Sequence, residues 1–233
     1  MKRLDQLLSS LGYGSRKEAQ RWCADGRVTV DGAEVDDASV RVEGASVRLD
    51  GQPLEFPDGL LVLFHKPVGV VCTHDSREGQ RIYDLLPARW QLRDPKVTSV
   101  GRLDKDTSGL LLVTDQGPLV QRLTSPKHHV AKTYVATLDA PVPPSLVAVF
   151  AGGVDLREEG GALVRTEPAT LEVLGERRAQ VTVREGRYHQ VRRMFAAHGL
   201  HVTALHRTRF GALSLDDALA PGAWRALPLD TVV

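Results

Sequence analysis

The run of residues most capable of chemistry in this 233-residue chain is Gly101-Arg102-Leu103-Asp104-Lys105-Asp106-Thr107-Ser108-Gly109. Arg102 and Lys105 flank Asp104, and nearby cations favour the ionised form of a carboxylate. An ionised carboxylate can act as a nucleophile or stabilise a developing oxocarbenium ion, which points to chemistry at a glycosidic bond. Asp, Thr, Ser and Gly also build tight turns, so the run by itself leaves a purely structural loop open. Leu110-Leu111-Leu112-Val113-Thr114 follows at once and reads as a buried strand. A polar loop anchored on a rigid strand is where a reactive side chain is held in place and still reaches a ligand.

A reactive carboxylate needs something to act on, and the charge pattern suggests a polyanion. The formal net charge is only +1, but the charges are segregated. Lys2, Arg3, Arg16, Lys17, Arg21 and Arg27 crowd the start, an acidic stretch follows, and Arg184, Arg187, Arg192, Arg193, Arg207 and Arg209 form a second basic region with His189 and His206 beside it. Two separated basic surfaces fit a nucleic-acid partner. Cys23 and Cys72 lack CxxC or metal spacing and read as free thiols in a reducing compartment. Neither the histidines nor the cysteines have a spacing that compels a metal, and no Walker or dinucleotide fingerprint occurs, so no metal or cofactor is assigned. No stretch offers about 18 uninterrupted apolar residues, so no membrane partner is expected and the protein is expected in the cytoplasm.

The positioning elements can be read from periodicity. Leu4, Leu7, Leu8 and Leu11 recur at helical spacing and stop at Gly12 and Gly14. Ser15-Arg16-Lys17-Glu18 is a capping box that starts a second helix, with Ala19, Trp22 and Cys23 inward and Asp25-Gly26 at its end. Val28-Thr29-Val30 before Asp31-Gly32 reads as a strand entering a hairpin, and Asp50-Gly51 is a second hairpin signal. A boundary near Pro57 gives two expected units, 1–57 and 58–233. In the second, predicted strands cover 60–64, 70–73, 110–114, 133–138, 169–174 and 179–184, and predicted helices cover 116–123, 144–150 and 189–198. Strand and helix do not alternate regularly, so the fold class is α+β with a mainly antiparallel sheet.

Two resemblances sharpen this. RLDQLLSSLGYGSRKEAQRWCADGRVTVDG, residues 3–32, resembles the S4 RNA-binding fold, which implies phosphate contacts from Arg3, Arg16, Lys17, Arg21 and Arg27. GRLDKDTSGLLLVTD resembles the active-site motif of pseudouridine synthases. HKPVGVVCT, SPKHHVAKTYVATL, EGRYHQVRRMFAAHG and LHRTRFGALSL agree with that family in order, so the likeness spans nearly the whole chain. It is similar to the branch with an N-terminal S4 domain, and TSPKHHVAKTY and DALAPGAWRAL favour the members that modify 16S RNA of the small subunit.

The resemblance implies that Asp104 initiates breakage of the bond between uracil N1 and ribose C1′, after which the base turns and rejoins through C5. Addition to the base, addition to C1′ and a glycal intermediate all stay open, the glycal route being favoured. It implies that Tyr134 stacks on uracil or moves a proton, and that Arg192 pairs with Asp104. Arg102, Lys105, Lys132, Arg187, His189, Arg193 and Arg207 are the expected RNA contacts of the second unit. HKPVG is expected to be structural, bordering the cleft. The target uridine has to be extruded from its stack at a cost of a few kcal/mol. The expected partner is small-subunit ribosomal RNA or an assembly intermediate, acted on by a monomer. A large-subunit target, a non-catalytic ribosome-associated RNA binder and a nucleoside glycosylase remain alternatives.

Overall fold

A two-residue strand, β1 (Lys2–Arg3), leads into helix α1 (Leu4–Ser10), and Leu4, Leu7, Leu8 and Leu11 are all buried, as their spacing predicts. This computed structural model describes residues 1–158 and 160–231. Helix α2 (Arg16–Ala24) begins on the expected capping box: the Glu18 amide donates to Ser15 Oγ at 3.3 Å and the Ser15 amide donates to Glu18 Oε2 at 2.7 Å. Such a cap typically stabilises a helix by about 1 kcal/mol. Ala19 and Cys23 bury against α1. Asp31-Gly32 and Asp50-Gly51 each place two consecutive residues at positive φ, the geometry of a two-residue hairpin turn that matches strand twist. They connect β2 (Val28–Val30) to β3 (Ala33–Glu34), and β5 (Val47–Leu49) to β6 (Gln52–Pro53), in a four-stranded sheet ordered β3-β2-β5-β6. β4 (Arg41–Val42) pairs with β1.

The rest of the chain is built on a nine-stranded sheet. Its first members are β7 (Leu61–Lys66), β8 (Thr98–Ser99) and β9 (Thr107–Thr114), followed by helix α3 (Gly117–Thr124) and strand β10 (Lys132–Leu138). Helix α4 (Leu146–Ala151) and a separate hairpin of β11 (Asp155–Arg157) and β12 (Leu163–Arg165) come next. The chain then returns to the sheet as β13 (Thr170–Gly175) and β14 (Arg178–Val183), and closes with helix α5 (Gln190–Ala196), β15 (Val202–Phe210), β16 (Leu213–Ser214) and β17 (Trp224–Ala226). The strand order is β13-β14-β10-β15-β9-β7-β17, with β8 on β9 and β16 on β15, and β9–β15 is the parallel pair.

The apolar runs of β7 and β9 have a direct cause: both faces of the sheet are covered there. Leu61, Leu63, Leu110 and Leu112 pack with Leu119 and Leu123 of α3, while Val62, Phe64, Leu111 and Val113 pack with Ile82 and Trp90. A third core lies under α4 and α5, where Phe150 and Phe195 meet.

Two strand expectations change. Residues 70–73 form only a single bridge, Val71 to Arg81, because the chain turns sharply at Gly69 (φ +88°) and runs into irregular structure. β15 was absent from the expected strands, although it lies near the middle of the sheet between β10 and β9.

The joint between the two units is fastened by side-chain bonds. Glu55 receives Arg89 and the Trp90 indole N–H, and the Glu55 amide donates to the Tyr13 hydroxyl at 2.9 Å. Buried Arg93 pairs with Asp115 at 2.8 Å and donates to the carbonyls of Glu55 and Phe56 at 3.2 and 2.8 Å. The Arg89 guanidinium lies 4.1 Å from the centre of the Tyr13 ring.

Candidate active site

Asp104 sits on the loop before β9, and the loop is fixed from beneath by Lys66 at the end of β7. Lys66 is fully buried, and its Nζ donates to the carbonyls of Thr107, Asp104 and Pro67 at 2.9, 3.0 and 3.0 Å, with Lys105 O at 3.4 Å. An ammonium has three N–H donors, so the three short contacts satisfy it, and a buried charge is tolerable only when it is so satisfied. Burial pushes the Lys66 amine below the ordinary lysine value, and the negative charges of Asp104 and Asp106 oppose the shift. Removing this side chain would orphan several buried carbonyls, each worth roughly 1–3 kcal/mol. The Gly69 amide adds a further tie to Lys105 O at 2.8 Å. HKPVG is thus the foundation of the Asp104 loop.

Above Asp104, strands β10 and β15 contribute Tyr134 and Arg207. A register shift between Thr133 and Tyr134 re-aims the tyrosine relative to the rest of β10. Arg207 is 2% exposed. Its Nε donates to Leu110 O at 2.8 Å, its Nη1 lies 3.5 Å from the Tyr134 hydroxyl, and its Nη2 is buried with no partner among the described residues. β15 can approach β9 this closely because residue 109 is glycine: a Cβ there would lie 2.2 Å from Arg207 O, and φ is +115°. Ser108 Oγ and His206 Nδ1, 2.8 Å apart, join the same pair of strands.

Asp104, Tyr134 and Arg207 line one cleft of about 490 Å³, with Arg102, Lys132, Arg187 and His189 also on its walls. That volume falls in the range of ordinary small-ligand sites. The side chain in ion-pairing range of Asp104 is His189, whose Nε2 is 3.3 Å from Oδ1. Lys132 is partly buried and donates to Val130 O at 2.9 Å; burial, reinforced by the positive charge of Arg207, pushes its amine below the ordinary value. Arg102 and Lys105 are exposed, and Arg187 pairs with Glu185 at 2.9 Å.

One expectation is corrected by this geometry. Arg192 does not pair with Asp104: its guanidinium donates to Val202 O at 2.9 Å and Asp106 O at 3.1 Å, because α5 points it along the back of the loop. Arg193, expected among the RNA contacts, is bonded to Arg157 O at 2.8 Å and Tyr188 O at 3.2 Å and also meets Glu158. Arg207, expected among the RNA contacts, is a buried cation in the wall of the cleft. In the N-terminal unit Arg16, Lys17 and Arg21 are exposed, while Arg3 and Arg27 are exposed but tied to Asp5 at 2.9 Å and Asp50 at 2.7 Å.

Sequence reasoning missed the roles of Arg207 and Lys66. A signal for the first existed: the Val- and Thr-containing run 202–210 is bounded by Gly199 and Gly211, which reads as a strand with alternate residues inward. The second had none, because nothing local distinguishes a fully buried lysine. Among the described residues no three His, Cys, Asp or Glu side chains cluster closely enough to hold a metal ion.

Comparison with known proteins agrees in both units. Residues 60–197 match the RNA pseudouridylate synthase family model and residues 2–53 match the S4 domain. The chain belongs to the RNA pseudouridylate synthase family. The synthase is 42% identical over 229 residues to ribosomal small subunit pseudouridine synthase A of Escherichia coli (strain K12), covering 97% of this chain and 96% of the relative. The protein of the same name from Yersinia pestis is 40% identical over 234 residues, covering 99% and 96%. A solved crystal structure of a pseudouridylate synthase aligns over 98% of this chain and 96% of its own, with a TM-score of 0.66 and 36% identity. The synthase is therefore an isomerase with an S4 domain at its N-terminus and a mostly antiparallel catalytic sheet.

Proposed function

We propose that the synthase converts one uridine of small-subunit 16S ribosomal RNA to pseudouridine, at the position numbered 516 in that RNA. The RNA named in the relatives at 42% and 40% identity over nearly the full chain supports this target. The observation that carries the chemistry is one cleft holding an anchored carboxylate, Asp104, opposite a phenol and a buried guanidinium, Tyr134 and Arg207.

In this reading residues 1–57 supply affinity through Arg16, Lys17 and Arg21, with Arg3 and Arg27 beside them, and residues 58–233 do the chemistry. Arg102, Lys105, Lys132, Arg187 and His189 guide the RNA strand to the cleft. The uridine leaves its stack, and contacts of this kind offset the cost of a few kcal/mol. The uracil packs against Tyr134 and the ribose meets the Asp104 carboxylate. As the N1–C1′ bond breaks, negative charge grows on the base, and the fixed positive charge of Arg207 in the cleft wall stabilises it. The base turns and C5 joins C1′; the proton on C5 is then lost and N1 gains one, so atoms and charge are conserved. The substrate is free RNA or an assembly intermediate in the cytoplasm, and the enzyme acts as a monomer.

Mapping pseudouridine across ribosomal RNA from cells with and without this protein tests the target. Loss of one small-subunit site is expected. Loss of a large-subunit site instead, or no loss, overturns the target assignment.

A further inference from the structure

Tyr188 has no part in the chemistry above, yet its placement is unusual. It is 69% exposed, so one face of its ring is open to a ligand. Its ring lies parallel to that of His189, with centroids 3.9 Å apart and 16° between the planes. His189 is itself held at φ +47°, the left-handed region that a non-glycine residue occupies at a cost. That backbone turns the His189 ring into the cleft, where Nε2 meets Asp104. The backbone under Tyr188 is held by Arg193, which donates to Tyr188 O. Two stacked rings thus form a column whose inner end is the catalytic carboxylate and whose outer face is open to solvent.

We propose that the outer face of Tyr188 is a stacking platform for the unpaired nucleobase adjoining the flipped uridine in the RNA strand, making Tyr188 a positioning residue. The inference rests on the function proposed above. A flipped nucleotide leaves its neighbour without a stacking partner, and a π-face beside the cleft replaces it. Stacking accepts any base, so this subsite fixes where the strand lies without reading its sequence.

The test uses the full-length enzyme and a small-subunit RNA fragment carrying 2-aminopurine on either side of the target uridine. Tyr188→Ala is expected to raise KM roughly tenfold, with the loss falling on KM rather than kcat, and to abolish 2-aminopurine quenching on one side. Tyr188→Phe is expected to restore both, since the ring and not the hydroxyl does the stacking. Wild-type KM and quenching in the alanine variant would overturn the proposal, as would a phenylalanine variant that behaves like alanine. Failure of the wild-type enzyme to convert the RNA would instead overturn the proposed target, and quenching would still report on Tyr188.

Discussion

The cations of α2 and those of the cleft have the same formal charge in opposite surroundings. Arg16, Lys17 and Arg21 stand in solvent on one helix and are already well hydrated. Lys66 and Arg207 are stripped of water, Lys66 satisfied by carbonyls and Arg207 left with its Nη2 unpartnered among the described residues. A solvated cation gives affinity that salt can screen, because its gain comes from counterion release. A desolvated, fixed donor is far more effective at the spot where charge develops and does little anywhere else. In the proposed function the two regions divide the work, binding in the first and chemistry in the second.

The sharpest way to break this division is at Arg207. Arg207→Met keeps the stem and removes the donors, and single-turnover conversion at saturating RNA is expected to fall roughly hundredfold or more with little change in Kd. A variant that instead bound RNA weakly and reacted at the normal rate would move Arg207 into the binding group.

A smaller and opposite effect is expected on α2. Changing Arg16, Lys17 and Arg21 together to Gln should weaken RNA binding and flatten the plot of log affinity against log salt by about 2, at about 0.7 for each lost phosphate contact. The rate at saturating RNA should stay near that of the unaltered enzyme. An unchanged salt slope would show that α2 faces away from the RNA.

The smallest effect concerns the strands that carry the site. Burial, with His65 adding repulsion and Asp217 opposing it, holds His206 below the ordinary imidazole value. The unfolded chain then binds a proton that the folded chain does not, so stability is full above about pH 6.5 and declines as pH falls toward the folded value. His206→Gln should make chemical denaturation midpoints less sensitive to pH in that window. Part of the slope should remain, because burial also lowers His74. An unaltered slope would remove His206 from the linkage.

How far these regions were legible in the sequence follows the same contrast. The N-terminal unit is governed by local rules: leucine spacing, a capping box and two Asp-Gly turns, each of which appears where those rules place it. In the catalytic unit the long apolar strands and the helices were legible, and so was the loop bearing Asp104. The partners of Asp104 were not. Arg192 and Arg207 are both arginines in basic segments, and only the pairing of β15 with β9 and β10 decides which of them enters the cleft. Lys66 lies 38 residues before Asp104 in the chain, and its contact depends on β7 and β9 pairing side by side. Periodicity can mark 202–210 as a strand, but which strands it pairs with is not written in periodicity or spacing.

The most direct test of the central claim is Asp104→Asn, assayed on one preparation for RNA binding and for pseudouridine formation under single-turnover conditions. Asparagine keeps the size of the side chain and one acceptor oxygen, and removes the charge. The expected result is RNA affinity close to that of the unaltered enzyme and no detectable pseudouridine. Pseudouridine formed at an ordinary rate by that variant would contradict a carboxylate-driven isomerisation.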